Sequence, residues 1–562
     1  MLFWEQYSIK TVHSNLQQVH DIATICSKKG ITKVVLSPGS RCAPITVSFA
    51  RHPSIETFVV PDERSAAFIA MGMALETKET VAIVCTSGTA SINYYPAITE
   101  AYYQQIPLLV LTADRPPELV DQGDGQTIRQ ENLYKNHIKA SFSFPIDSNQ
   151  NSAYQLVADA INETQKSPKG PVHINIPIRE PFYPSKHEAL TYSDIPIAIE
   201  KDKKEQTTML PSTDHYKKVL LVAGQAELSL ELKHKLNELD VPIICESIAN
   251  LHGLKNGVFT HDLLLSKLTA EEQTSLKPDL LITFGNAVLS KALKQYLRAN
   301  NPITHWSFSD TEKPVDVFQS ITDSFPSHSI TTLPSNSLKS EIKNEWISRC
   351  RKSQQHIINS LNTNEWNEFS IIYKLIQSLP SHCTIHVANS MSIRYVNYLT
   401  FLLKPTQVVR CNRGTSGIDG SISTAVGCAI TSPEKLNFII TGDLSFFYDR
   451  NGLWHNHLPK NLRILLMNNH GGGIFRMIDG PANLPEHEIY FETPQHLSGK
   501  NTANDFNLEY SNCKEYHSFE TSLKSFVKEN GTSQLLEVET STVLNTAFFK
   551  QFKQTFNSNP NE

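Results

Sequence analysis

The sequence predicts an α/β protein made of three doubly wound parallel-sheet domains, and three observations lead to that class. Short β-rich apolar runs alternate with helical stretches along most of the chain, the pattern of parallel strands covered on both faces. Two polar stretches interrupt the alternation. The length, 562 residues, exceeds the size at which one hydrophobic core keeps growing, so several domains of ordinary size are expected.

The first alternating unit runs through KVVLS, TFVV, VAIVC, PLLVLTA and VHINIP and is expected to end near Pro184. A polar stretch follows. The second, shorter unit starts at VLLVAG, continues through PIICES, LLITFGN and ITHWSF, and is expected to end near residue 310. Residues 311–370 are rich in Ser, Thr, Lys and Pro and suggest no function. The third unit contains TIHVANS, QVVRCN, FIITGD, ILLMNN and QLLEVE, with NTAFFKQFKQTF as its last helix. The expected domains are 1–185, a central α/β domain with flanking linkers at 186–365, and 366–562.

Composition excludes several classes. Hydrophobic residues make up 40% and charged residues 19%, with a net charge of −5, so no basic field invites nucleic acid. The nine Cys form no CxxC pair, which points neither to zinc nor to a disulfide framework and suits a reducing cytoplasm. The opening MLFWEQYSIK lacks the basic-then-apolar pattern of a leader. No run approaches the roughly 20 apolar residues of a membrane span. A soluble, cytoplasmic protein is expected.

The most informative stretch places Asp443 after the run LNFIIT and Asn469 after LRILLM, 26 residues further on. Two β-rich runs with helical sequence between them suggest neighbouring parallel strands joined by a crossover, so both side chains face one crevice. A carboxylate, an amide and a carbonyl such as that of Gly471, with phosphate oxygens, suit a hard divalent ion. Taken alone, the pair also fits two turn residues ending ordinary strands. The stretch resembles the fingerprint of thiamine-diphosphate enzymes: Gly-Asp-Gly, a gap of similar length, then Asn-Asn. Leu444 departs from it, standing where the family usually has Gly. The resemblance implies three domains (pyrimidine-binding, central and pyrophosphate-binding), thiamine diphosphate as cofactor, and Mg²⁺, with Mn²⁺ as a substitute, held by Asp443, Asn469 and Gly471. Thr89, Leu444 and Ser445 join the cofactor site on the same ground.

Two further segments strengthen it. In FVVPDERSAAF, Glu63 stands at a strand-to-helix mouth, where a carboxylate is also simply favourable at a helix N-terminus. By resemblance it bonds the cofactor's aminopyrimidine and drives proton removal from the thiazolium carbon. In CNRGTSGIDGSIS, Ile418 precedes a helix of small residues. An apolar residue there packs a loop, or, by resemblance, wedges beneath the cofactor and enforces its bent shape.

Arg41, Arg115, Arg394 and Arg413 follow strand-like runs, at the sheet end where ligands bind. Singly each reads as a surface or capping charge. Together they suggest carboxylate recognition, since the guanidinium fork pairs bidentately with a carboxylate. The strings SPGSRCAPIT, DERSAAF, LTADRPPEL, GQTIRQ, NRGTSGIDG and GDLSFFYD resemble the menaquinone-pathway branch of the thiamine-diphosphate family. That branch implies decarboxylation of 2-oxoglutarate and 1,4-addition of the succinyl unit to isochorismate. On this reading Arg41, Arg115, Gln126 and Lys291 serve isochorismate, Ser390, Arg394 and Arg413 the oxoacid side, Ser40 adds polar support for substrate binding, and Arg41, Arg394 and Arg413 join Glu63 as catalytic candidates. It also implies a homodimer, or a dimer of dimers, with the site shared between subunits. The competing readings are another thiamine-dependent 2-oxoacid decarboxylase or carboligase and a non-catalytic homologue. A dinucleotide enzyme lacks the required GxGxxG.

Overall fold

A computed structural model describes residues 16–145, 150–180, 183, 190–196, 208–311, 313–335, 337–361, 364–478 and 480–556. The expected end of the first unit near Pro184 and the N-terminal decapeptide lie outside these residues.

Three six-stranded sheets form the framework. The first contains β1 (Lys33–Leu36), β2 (Glu56–Val59), β3 (Val81–Cys85), β4 (Leu108–Asp114), β5 (Ala140–Ser143) and β6 (Val172–Pro177), in the order β2-β1-β3-β4-β6-β5. The second contains β7 (Val219–Ala223), β8 (Ile243–Cys245), β9 (Gly257–Val258), β10 (Leu280–Phe284), β11 (Thr304–Phe308) and β12 (Asp323–Phe325), in the order β12-β11-β10-β7-β8-β9. The third contains β13 (Cys383–Val387), β14 (Val408–Arg410), β15 (Leu436–Gly442), β16 (Leu462–Asn468), β17 (Glu509–Cys513) and β18 (Gln534–Glu539), in the order β14-β13-β15-β16-β18-β17. Every pairing is parallel, as the sequence predicts.

The outer sheets share one strand order, whereas the central sheet has the order of a dinucleotide-binding fold. In the central sheet the strand order reverses between β7 and β10, and there the two following loops interlock. Gly224 approaches Asn286 so closely that a Cβ on it would lie 2.5 Å from the Asn286 carbonyl oxygen. The Gln225 amide donates to the Ala287 carbonyl at 2.8 Å.

Two compact units emerge, Met1–Asp202 with Trp454–Leu458, and Lys203–Leu453 with Pro459–Glu562. The first is built on the first sheet. The second holds the other two sheets, whose apolar residues merge: Ile248, Leu263 and Leu289 pack in one core with Ile385, Phe438 and Leu465.

The expectation that the central unit ends near residue 310 is corrected. β12 extends the central sheet beyond β11, and the Lys343–Leu361 helix buries Trp346 in the same core as Leu264, Leu293 and Tyr296. Its buried Trp346, Cys350, Ile357 and Leu361 recur at helical spacing within a polar segment, so no continuous apolar run marks them. The strands with no sequence signal, β5, β9, β12 and β17, all sit at sheet edges. An edge strand buries less than a central one and needs no apolar run. Among the described residues no helix is long and apolar enough to cross a membrane.

Candidate active site

Within the first unit the strand order reverses between β1 and β3, and the candidate residues gather at the carboxyl ends around that point. Pro61 and Asp62 end the stretch after β2, and the Asp62 carboxylate caps the Glu63–Thr77 helix by accepting from Ser65 N at 3.2 Å. Glu63 is thereby the first helical residue, partly exposed. Its charge adds to the burial that already raises the Cys42 thiol pKa.

Arg41 is buried. Its Nη1 donates to the Ile178 carbonyl at 3.0 Å and its Nη2 to Glu180 Oε1 at 3.2 Å. Arg115 donates from Nη1 to Ser87 Oγ and from Nη2 to the Gly125 carbonyl, both at 2.7 Å. Both guanidinium groups are thus engaged by the chain itself. Ser40 and Tyr183 share a hydroxyl hydrogen bond of 2.5 Å.

Gly88 has φ +86°, and a Cβ there would stand 3.2 Å from the Gln126 backbone. Gln130, the last residue of the GQTIRQ string, accepts from Gly88 N at 2.8 Å and so ties the two loops together. Gln126, with φ 56°, and Thr89 are exposed.

In the second unit Asp443 follows β15 and begins a short helix, beside the β13/β15 reversal. It is 1% exposed. Its Oδ1 accepts from Leu444 N at 2.9 Å and its Oδ2 from Gln495 Nε2 at 2.6 Å. Burial raises the Asp443 pKa, and the Gln495 bond opposes that rise. Asn469 follows β16, the next strand, so both side chains stand at adjacent strand ends as the spacing predicts.

The Asn469 amide nitrogen donates to Glu368 Oε1 at 2.6 Å, while its Oδ1 is buried and accepts nothing among the described residues. His470 adopts φ 65°, a left-handed turn between Asn469 and Gly471. Gly471 lies so close to Glu492 that a Cβ would meet the Glu492 carbonyl oxygen at 2.8 Å. A buried carboxylate and, at the end of the adjacent strand, an amide oxygen without a partner among the described residues and a glycine carbonyl are a donor set of the kind that suits a hard divalent cation.

Around this centre Ser445 Oγ donates to the Ile418 carbonyl at 3.1 Å, fixing the loop that carries Ile418. Asn389 holds the same loop from β13. Its nitrogen donates to the carbonyls of Asn412 (2.8 Å) and Gly417 (2.6 Å), and its Oδ1 accepts from Arg413 Nη1 at 2.8 Å. Arg413 Nε is buried without an acceptor among the described residues. Ser390, with φ 75°, begins the Met391–Tyr398 helix, and its carbonyl accepts from Arg394 Nη1 at 2.5 Å. Burial lowers the Arg394 pKa, nearby Arg413 lowers it further, and Asp262 opposes.

Lys291 is exposed at the start of its helix. Lys294, one turn later, is the lysine that feels Arg413: burial lowers its pKa, Glu246 opposes and Arg413 adds to the fall. The turn before Lys291 is held by Glu246, which accepts from Leu289 N at 2.5 Å and Ser290 N at 2.6 Å. Glu368, Asn389 and Gln495 had no sequence signal. Glu368 lies in the segment without a functional reading, and Gln495 in an irregular stretch.

Residues 17–133 match the family described as "Thiamine pyrophosphate enzyme, N-terminal TPP binding domain", and residues 199–387 match "Middle domain of thiamine pyrophosphate". Fold and site thus define the class, a thiamine pyrophosphate-dependent enzyme. Over 556 residues the chain is 45% identical to a 2-succinyl-5-enolpyruvyl-6-hydroxy-3-cyclohexene-1-carboxylate synthase of Cytophaga hutchinsonii, covering 96% of this chain and 99% of that one. Synthases of the same name from Flavobacterium johnsoniae (36% identical, 96% and 99% covered) and Bacteroides fragilis (34%, 94% and 96%) are also similar. The chain belongs to this family of 2-succinyl-5-enolpyruvyl-6-hydroxy-3-cyclohexene-1-carboxylate synthases.

Proposed function

We propose that this chain decarboxylates 2-oxoglutarate and adds the resulting succinyl unit 1,4 to isochorismate, a step of menaquinone biosynthesis. The observation that carries this reading is the placing of Asp443 and Asn469 at the ends of the adjacent strands β15 and β16, with Asn469 Oδ1 buried and without a partner among the described residues, in a chain 45% identical to a synthase over nearly its whole length. Bound thiamine diphosphate supplies the electron sink for decarboxylation. Asp443, Asn469 and the Gly471 carbonyl hold Mg²⁺, or Mn²⁺ in its place, against the diphosphate. Thr89, Leu444 and Ser445 contact the cofactor, and Ile418 supports its shape.

Glu63 moves the proton that activates the cofactor. Arg413, whose Nε has no acceptor among the described residues, and Arg394 receive the carboxylates of the oxoacid, with Ser390 beside them. Arg41, Arg115, Gln126 and Lys291 form the isochorismate side, and Ser40 adds polar support for substrate binding. Arg41 and Arg115 shape that side through the loops they hold. The active form is a homodimer in the cytoplasm, in which Glu63 of one chain serves the metal site of the other, with functional domains bounded at 1–185, 186–365 and 366–562.

An assay with purified protein, thiamine diphosphate, Mg²⁺ and 2-oxoglutarate, following loss of isochorismate absorbance, tests the reaction. Loss that needs every component, with the product mass expected for the adduct, supports it. No loss in protein shown to bind the cofactor would redirect the reading to another 2-oxoacid decarboxylase.

A further inference from the structure

Glu368 is buried at the start of the Glu368–Ser378 helix, 101 residues from the amide it contacts. Asn367 caps that helix by accepting from Ser370 N at 3.0 Å. The Glu368 backbone is pinned as well, its N–H donating to Asn545 Oδ1 at 3.1 Å. Asn545 donates in turn to Thr540 Oγ1 at 3.0 Å, and Thr540 N donates to the Asn468 carbonyl at 3.1 Å. A ring of bonds therefore runs from the end of β16 through the residues after β18 to Glu368 and back to Asn469. The Glu368 backbone is thus fixed without any ligand, and Thr540 Oγ1 stands 3.5 Å from Oε1.

A side-chain amide has two ends of nearly equal size, one a donor and one an acceptor. Only the oxygen ligates a hard cation. Glu368 Oε1 accepts from the NH₂ end of Asn469, which leaves Oδ1 pointing elsewhere; an ionised carboxylate, which accepts and does not donate, selects that end. Reversal would set two oxygens against each other at hydrogen-bond distance. The orphaned, buried Oδ1 is the other half of the same observation.

We propose that Glu368 is a positioning residue for the metal site, fixing the Asn469 amide with its oxygen toward the cation. The proposal rests on the reading of Asp443 and Asn469 as metal ligands. Partners that orient metal ligands typically affect metal affinity by ten- to a hundredfold when removed. Gln at position 368 keeps the volume but offers both a donor and an acceptor, so it selects neither end of Asn469.

The test is calorimetric titration of Mg²⁺ into the full chain saturated with thiamine diphosphate, for wild type, Glu368→Gln, Asn469→Asp and the double variant. Glu368→Gln is expected to weaken Mg²⁺ binding roughly ten- to a hundredfold. In the Asn469→Asp background both ends of the side chain are oxygens, so the same substitution is expected to cost nothing or to strengthen binding. An equal loss in both backgrounds would assign Glu368 a merely structural role and overturn the proposal, as would unchanged affinity in Glu368→Gln. Should Glu368→Gln not fold, Glu368→Asp takes its place. It still accepts but no longer reaches Asn469, and the same background dependence is expected. Asp443→Asn is titrated alongside, since unchanged Mg²⁺ affinity there would sink the metal-site reading itself rather than the role of Glu368.

Discussion

Gln495 Nε2 donates to Asp443 Oδ2 at 2.6 Å and to Asn468 Oδ1 at 3.0 Å, joining the ends of β15 and β16 through one side chain. Its own Oε1 accepts from Leu497 N at 2.5 Å, so the amide cannot reverse without losing all three bonds. Asp443 is thus held by a side chain from outside the two strands that present it.

Asp443→Ala is expected to weaken Mg²⁺-dependent thiamine diphosphate binding at least tenfold, and Gln495→Ala to weaken it less, because the ligand survives but is no longer oriented. Cofactor titrations with and without a chelator measure both. Retention of metal-dependent cofactor binding in Asp443→Ala would remove the assigned ligand role.

Glu63→Gln is expected to lower kcat by roughly 10²–10⁴ while leaving cofactor affinity within a few-fold of wild type, the signature of a lost proton transfer. Mixing Glu63→Gln with Asp443→Ala protein under subunit exchange is expected to restore part of the activity. No recovery in verified mixed dimers would count against a site shared between subunits.

Arg413→Lys keeps the charge but gives up the planar fork and the Nε donor. The KM for 2-oxoglutarate is expected to rise by about tenfold or more, corresponding to a lost charge-assisted bond of roughly 1.5–3 kcal/mol. Steady-state kinetics with each substrate varied in turn decide it. A rise confined to isochorismate would reverse the assignment of Arg413.

His173 is fully buried on β6, bonded to Thr112 Oγ1 at 2.7 Å, and burial pushes its pKa down to about 3. The folded pKa lies below the unfolded value of about 6.5, so between the two the unfolded chain binds more protons. The stability this histidine contributes is present above pH 6.5 and is lost as the pH falls toward 3, amounting to about 2 kcal/mol by pH 5. Thermal melting of His173→Gln at pH 7 and pH 5 is expected to show a smaller drop than wild type. An identical drop in both proteins would show that His173 is not the group responsible.

Much of the framework around the candidate site was legible because it is written locally. The run LNFIIT became β15 and LRILLM became β16, paired in parallel as their spacing implied, with Asp443 and Asn469 at the two carboxyl ends. Glu63 was readable because Asp62 caps the helix it begins. The extension of the central unit was not legible, since the Lys343–Leu361 helix hides its buried Trp346 among charged residues.

The sequence by itself determined the alternating parallel architecture, the placing of Asp443 and Asn469 at neighbouring strand ends and the strand-end arginines, because each depends on periodicity or on a residue's place relative to its own strand. Tertiary structure alone decided which groups direct those residues. Glu368 reaches Asn469 across 101 residues and Gln495 reaches Asp443 across 52. Parallel strands bring the carboxyl ends of distant segments to one edge, so a partner's identity depends on strand order and loop path rather than on sequence distance. The same order supplies Arg41, Arg115 and Arg413 with acceptors from distant parts of the chain, Ile178, Ser87 and Asn389, which no local pattern names.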